Sequence, residues 1–328
     1  MAETILPWQV AQWDQLIRAQ DEGRLGHALL LSGPGGIGKQ RFARALMHWL
    51  LCEQPAAQGA CGSCRSCRFG LDNPDVHIIE PPEGKRQIGV DQVRELVAVS
   101  AQTAHRSGGR KVILIQPADA MNSNTANALL KTLEEPTGDT VLILISDEPA
   151  RLLPTIRSRC QQIPFPIPAR QLALDWLKMT VAEPQQCEVC LDEAGGRPLA
   201  AQALFENDGL AARQRCDETL QGWVDGQLNL SQASDALKEF ELDFLLEWLA
   251  QRSHHLLLAV MGGEGYSVNT VWQRWLKRSA ADILSFQQQV LELRAQVQRG
   301  VAVNRTLTME SLLLAWIAAS QQRAGLGL

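Results

Sequence analysis

Residues 27–51 read HALLLSGPGGIGKQRFARALMHWLL, and three adjoining segments in them decide the fold. Residues 27–32 are a short apolar run ending at Gly33, which predicts a buried strand. Residues 33–40, GPGGIGKQ, match the phosphate-loop pattern G-x-x-x-x-G-K-[ST] except at the last position. Residues 41–51 carry apolar side chains at helical spacing. Strand, glycine loop, helix is the context this motif requires. In such a loop backbone N–H groups cradle phosphates, the lysine reaches the β and γ phosphates, and the final hydroxyl holds Mg²⁺. Gly33, Gly35, Gly36, Gly38 and Lys39 are therefore the candidate phosphate-binding residues. Gln40 stands where the hydroxyl belongs, and an amide on a longer stem is a poor substitute at a magnesium site.

The next strand is where a hydrolase places its second signature. Residues 111–122 read KVILIQPADAMN, with a basic start and four apolar residues, Val112 to Ile115. Hydrolysis needs an Asp at the strand end for Mg²⁺ and usually an acid beside it to activate water. Gln116 and Pro117 occupy those places, and neither is a base. Asp119 comes two or three residues too late and is expected on the turn or helix that follows. The magnesium hydroxyl, the magnesium carboxylate and the base are thus lost together.

Four of the eight cysteines cluster as Cys52, Cys61, Cys64 and Cys67, spaced C-x8-C-x2-C-x2-C. Two C-x2-C steps sharing a cysteine, with a fourth thiol nearby, suit one tetrahedral Zn²⁺. Four thiolates leave no open position, so such a metal is structural. A DNA-reading zinc module is an alternative, although Arg65, Arg68 and the lone aromatic Phe69 are thin support for it. Cys187 and Cys190 form an isolated C-x2-C in a polar helical stretch and read as incidental; Cys160 and Cys216 are single thiols.

With 328 residues, 45% hydrophobic and 20% charged, the chain is an ordinary globular one with room for two or three domains. A net charge of −5 argues against a broad electrostatic grip on nucleic acid. No apolar stretch approaches membrane-spanning length, and residues 1–10 lack a signal-peptide pattern, so a cytoplasmic location without membrane contact is expected.

Residues 127–136, NALLKTLEEP, place Ala128, Leu129 and Leu133 on one helical stripe, with Lys131, Glu134 and Glu135 elsewhere and Pro136 ending the helix. Residues 141–160 give a buried strand, Val141 to Ile145, then Ser146 and a helical segment ending in Ser158-Arg159-Cys160. With the phosphate loop and the four cysteines, these motifs resemble the clamp-loader branch of the AAA+ ATPases, most strongly over residues 27–165. The resemblance implies an α/β fold: a RecA-like AAA+ P-loop domain with a parallel sheet and a zinc insert, then a small helical lid and an all-α collar. It places Ser146 at the first sensor position. It also implies that Arg159, with Ser158 beside it, is an arginine finger reaching in trans into a neighbour's ATP site. A planar, permanently charged guanidinium suits that task. In AGGRPLAAQAL, residues 194–204, the second-sensor arginine should align near Pro198. Arg197 comes one residue earlier, a rotation of about 100° on a helix, so it is expected to point away from the nucleotide.

The remaining chain reads as helical. PFPIPAR, residues 164–170, has three prolines within five residues and marks a linker. The expected domains are 1–166, 167–207 and 208–328, with long amphipathic segments at 235–261 and 281–300 and a closing collar helix over 303–316. His254 and His255 point to different helix faces and read as ordinary helix residues. Trp248, Trp272, Trp275 and Trp316 read as packing anchors.

The resemblance implies a non-hydrolysing subunit of the DNA polymerase III clamp loader. Gamma/tau motor subunits and a delta subunit would be its partners in a hetero-pentameric ring, with the sliding clamp and primer-template DNA met through the complex. One structural Zn²⁺ per chain is expected and no Mg²⁺ site; ATP binding by the altered loop stays open. An active gamma/tau-like ATPase is the alternative that Gln40, Gln116 and Pro117 disfavour.

Overall fold

The computed structural model describes residues 4–100, 109–262, 270–273 and 279–321. The chain divides into two compact units, residues 1–203 and 204–328. Five strands build the first: β1 (Ala28–Ser32), β2 (Val76–Ile79), β3 (Lys111–Ile115), β4 (Thr140–Ser146) and β5 (Gln161–Pro164). Their order is β2-β3-β4-β1-β5 and every pairing is parallel. Ser32 lies opposite Ser146 and Pro164, and Ile115 lies opposite Ile79 and Leu144. The register therefore brings the phosphate loop, Gln116 and Asp147 to one edge, the carboxyl ends of the strands, where ligands of open α/β sheets bind.

Apolar residues fill both faces of the three central strands, as a parallel sheet covered on both sides requires. Leu29, Leu31, Leu114 and Ile143 face Trp13 and Leu16 of α1 (Val10–Asp21) and Phe42 and Leu46 of α2 (Lys39–Leu51). The short α3 (Arg65–Phe69) belongs to the cysteine insert. Leu30, Ile113, Leu142 and Leu144 face α4 (Val90–Ser100), α5 (Ser123–Glu134) and α6 (Pro154–Arg157), meeting Val93, Leu129, Leu133 and Ile156. The side-chain alternation of each strand thus feeds two cores in three layers.

Local chemistry sets the helix ends. Asn122 caps α5 by accepting from the Thr125 N–H at 2.9 Å, a typical N-cap contact. That helix starts before the NALLKTLEEP motif, and its buried stripe includes Thr125, Ala126 and Thr132 besides Leu129 and Leu133; Ala128 is half-buried. The segment after β4 differs from expectation. α6 stops at Arg157, so Ser158 and Arg159 lie on the turn into β5 rather than in a helix. The edge strands β2 and β5 had no clear sequence signal: β2 is half-buried, and β5 carries Gln161 and Gln162.

Pro164 closes β5, and Pro166 and Pro168 hold the chain extended until α7 (Arg170–Thr180), which α8 (Cys187–Glu193) and α9 (Pro198–Glu206) follow. Cys187 and Cys190 are both buried on α8 and behave as packed small apolar groups.

The second unit is all-α: α10 (Gly209–Val224), α11 (Leu230–Leu237), α12 (Leu242–Val260), α13 (Thr270–Gln273), α14 (Ala280–Gln298) and α15 (Arg305–Gln321). The stretch expected as one amphipathic segment at 235–261 is two helices, broken at Lys238 to Glu241. Phe240 packs from that break against the core. His254 and His255 both lie on α12, His254 exposed and His255 half-buried. Trp248, Trp272 and Trp316 are core residues as expected, whereas Trp275 lies outside the described residues.

One buried carboxylate organises this core. Asp217, 3% exposed, accepts from the indole N–H groups of Trp248 and Trp272 at 3.3 and 3.2 Å. Its other oxygen takes Arg252 Nη2 at 2.7 Å. Removing one partner of a buried ion pair leaves the other charge uncompensated, at about 3–5 kcal/mol. Asp217→Ala is accordingly expected to lower the thermal unfolding temperature of the chain and shift tryptophan emission.

Candidate functional site

The phosphate loop follows β1 and ends at Gly38, which has φ of 88° and caps α2. Gly33 has φ of 152°, and a Cβ there would collide with the carbonyl oxygen of Phe165, so only glycine fits. Gly36 lies against α9: its carbonyl accepts from the Leu199 N–H at 2.9 Å. The N-terminal segment completes the support. Gln9 is fully buried, and its Nε2 donates to the Ile37 and Gly38 carbonyls at 3.1 and 3.0 Å. The Trp8 indole donates to the Ile37 carbonyl at 2.9 Å.

Lys39 is 4% exposed, and its ammonium is engaged within the chain. It donates to the carbonyls of Gly33 at 2.6 Å and Pro34 at 2.7 Å. It also pairs with Asp147 Oδ1 at 2.6 Å. An ammonium has three donors, so this set occupies all of them. The Asp147 carboxylate also lies beside Gly35, where a Cβ would sit 2.7 Å from Oδ2. A carboxylate thus holds the ammonium that the phosphate-loop pattern assigns to a phosphate. Lys39→Ala is expected to strip the loop carbonyls and Asp147 of their cation and lower stability by about 2–3 kcal/mol. Because Asp147 is half exposed, water offsets part of the loss; chemical denaturation measures it.

A cavity of about 710 Å³ opens beside this lysine, lined by Gly36, Gln40, Arg41, Gln116 and Pro117 among others. Gln116 is 2% exposed, and its Nε2 donates to the Glu80 carboxylate. Its Oε1 has no hydrogen-bond partner among the described residues. Asp119 lies on a 3₁₀ turn, and its Oδ1 accepts the Asp147 N–H at 3.1 Å, so it braces the end of β4. Ser146, which the resemblance places at the first-sensor position, is fully buried, with no partner for Oγ among the described residues. Pro198 starts α9 and is buried. Arg197 Nε donates to the Ala194 carbonyl at 2.7 Å, and Arg197 does not line the cavity.

Arg159 stands apart from that cavity, on the turn between α6 and β5. Its Nε donates to Glu134 Oε1 at 2.6 Å and its Nη1 to the Thr155 carbonyl at 3.0 Å. Ser158 Oγ donates to the same carbonyl at 3.2 Å and so shapes the turn that carries Arg159. Lys131 and Glu135 are exposed.

The cysteine insert joins α2 to β2. The sulfurs of Cys52, Cys61, Cys64 and Cys67 lie within 4.8 Å of one another, with Cys61 and Cys67 at 3.9 Å. Tetrahedral Zn–S bonds of about 2.3 Å set neighbouring sulfurs ~3.8 Å apart, so the donor set fits a metal ion. Backbone N–H groups point at the sulfurs: Cys61 to Cys52 at 3.2 Å, Cys64 to Cys61 at 3.4 Å and Cys67 to Cys64 at 3.4 Å. The Ser63 and Cys64 N–H groups pull the Cys61 thiol down to about 6, which favours the thiolate a metal needs. Burial pushes Cys67 up, and a divalent cation is the group that would ionise it. The insert is tied back to the sheet unit by the indoles of Trp13 and Trp49, which donate to the Ala57 and Ala56 carbonyls at 2.8 and 2.9 Å.

Sheet order, phosphate loop and cysteine insert define an AAA+ domain of the RecA-like P-loop class. Comparison with known proteins places the chain within that class. Residues 8–169 match the family model described as DNA polymerase III, delta subunit. A DNA polymerase III subunit delta' from Pseudomonas aeruginosa is 40% identical over 95% of this chain and 97% of its own length. The subunit of that name from Escherichia coli K12 is 33% identical over 94% of each chain. A gamma/tau subunit from Mycobacterium bovis is 38% identical over 45% of this chain and 25% of its own. The chain belongs to the DNA polymerase III subunit delta' family.

Sequence reasoning missed Gln9, Glu80, Glu134 as a partner of Arg159, and Asp147. Gln9 and Glu80 act across long sequence separations and carry no local signal. Asp147 follows Ser146 directly at the end of β4, and an acid there beside a retained loop lysine was the available clue.

Proposed function

We propose that this chain is a non-hydrolysing clamp-loader subunit that completes a ring with gamma/tau-type motor subunits and a delta-type subunit. Its contribution to ATP turnover is Arg159, presented to a neighbour's ATP site. The observation that carries this reading is the contrast between two cations. Lys39 is buried and occupied by Asp147 and two loop carbonyls, while Arg159 is held at the surface outside the cavity. Gln116 tied to Glu80, and Asp119 tied to the backbone of Asp147, support the absence of hydrolysis by this chain.

The loop then serves as architecture. Its carbonyls bind Lys39, Gln9 and α9, so it joins the N-terminal segment, the sheet and the lid helices. The four cysteines hold one structural Zn²⁺. The division into an α/β domain to residue 166, a lid to 207 and a collar beyond belongs to the same reading, as does a cytoplasmic setting. None of the helices searched is long and apolar enough to cross a membrane.

Assembly tests the proposal. Mixed with gamma/tau-type and delta-type subunits, the chain is expected to co-elute in one complex that loads a sliding clamp onto primed DNA, with loading lost when this chain is omitted. Failure to enter the complex, or loading that proceeds equally without it, would contradict the reading.

A further inference from the structure

The Arg159 guanidinium is docked on two elements at once. Nε and Nη2 face Glu134 Oε1, and Nη1 faces the Thr155 carbonyl. Glu134 is the last residue of α5 and Thr155 lies in α6. Both helices are anchored in one core through Leu129, Leu133 and Ile156. The ledge under the arginine is therefore fixed by packing. A guanidinium carries five N–H donors. Among the described residues three are engaged, which leaves one on each terminal nitrogen, on a side chain about one-third exposed.

From this geometry we propose that Glu134 is a positioning residue: it holds the Arg159 guanidinium so that its two remaining N–H groups are presented to a phosphate of a neighbouring subunit. The proposal rests on the reading of Arg159 as an arginine finger. An unrestrained arginine samples many rotamers and loses that freedom on engagement, whereas a docked one has lost it already. Glu134 is half exposed, so water screens its charge from an incoming phosphate. An exposed pair of this kind adds little to folding stability. Its effect is therefore expected in turnover and not in the unfolding temperature.

The test uses the complex reconstituted with motor subunits, clamp and primed DNA, with ATP as the varied substrate. Glu134→Ala is expected to lower stimulated kcat about 10-fold at the site Arg159 serves, with KM for ATP unchanged, because a finger acts in the transition state. Glu134→Gln keeps an acceptor for Nε and is expected to restore most of the rate. Added to Arg159→Ala, Glu134→Ala should have no further effect, as for two residues acting through one group. Normal or increased turnover in Glu134→Ala, or a loss that multiplies with that of Arg159→Ala, overturns the positioning role while leaving the finger standing. Normal turnover in Arg159→Ala overturns the finger and the positioning role together. Unfolding temperatures of the isolated variants, expected to equal that of the parent chain, separate either result from misfolding.

Discussion

Replacing Arg159 with alanine is expected to abolish ATP turnover at the neighbouring site this chain serves while leaving the complex assembled. Fingers of this type contribute ~10³ to 10⁵ in turnover in other systems, the largest effect expected of any single change here. The physical reason is local. The transferred phosphoryl group develops charge on its outer oxygens, and a planar, always ionised fork answers that charge without a proton transfer. Among the described residues the Arg159 guanidinium is bonded to Glu134, half exposed, and to the Thr155 carbonyl, and an exposed pair of this kind adds little to stability, so its removal should leave the fold intact. Where other ATP sites remain, the bulk rate falls at least by the share of the affected site. Single-turnover hydrolysis by the complex, with assembly checked by gel filtration, measures the loss. Arg159→Lys keeps the charge but not the fork and is expected to recover little.

The second large effect is metal removal. About one zinc per chain is expected by metal analysis, and Cys61→Ser with Cys64→Ser should reduce it to none. Structural zinc in small peptides contributes an apparent ~10–16 kcal/mol of binding free energy. In this chain a bound metal would stabilise an insert inside a larger unit, so its loss should melt residues near 52–69 and spare the sheet. Two indoles report on that event. Trp13 and Trp49 donate to the Ala57 and Ala56 carbonyls, which belong to the insert. Chelation is expected to change tryptophan emission and to raise amide exchange from Cys52 to Phe69 while exchange in β1, β3 and β4 stays slow. Unchanged exchange in the insert after complete metal removal would mean that the thiols are ordinary packing groups.

Much of this was legible in sequence because the decisive signals are local. β1, the loop and α2 occupy consecutive residues, and a glycine pattern with fixed spacing records a backbone geometry directly. The C-x2-C steps record turn geometry in the same way, and the structure gathers the four thiols as expected. What escaped depends on distant partners. Gln9 supports a loop 28 and 29 residues away, and Glu80 meets Gln116 across 36. Edge strands β2 and β5 bury too little apolar surface to show a clean pattern. The break between α11 and α12 was hidden because Phe240 continues the apolar sequence while packing from a turn.

The phosphate loop illustrates the same limit. Its altered last letter, Gln40, together with Gln116 and Pro117, argued from sequence for lost hydrolysis. The lysine was ambiguous, since a retained lysine is what an active loop would also have. Geometry changes its meaning, because Asp147 and two carbonyls take all three of its donors.

The most direct measurement is steady-state ATP turnover by the purified chain alone, with Mg²⁺ present. The expected result is no hydrolysis above background, unaltered by Lys39→Ala. Robust hydrolysis that Lys39→Ala abolishes would show that the loop is a working catalytic site and would contradict the division of labour between Lys39 and Arg159.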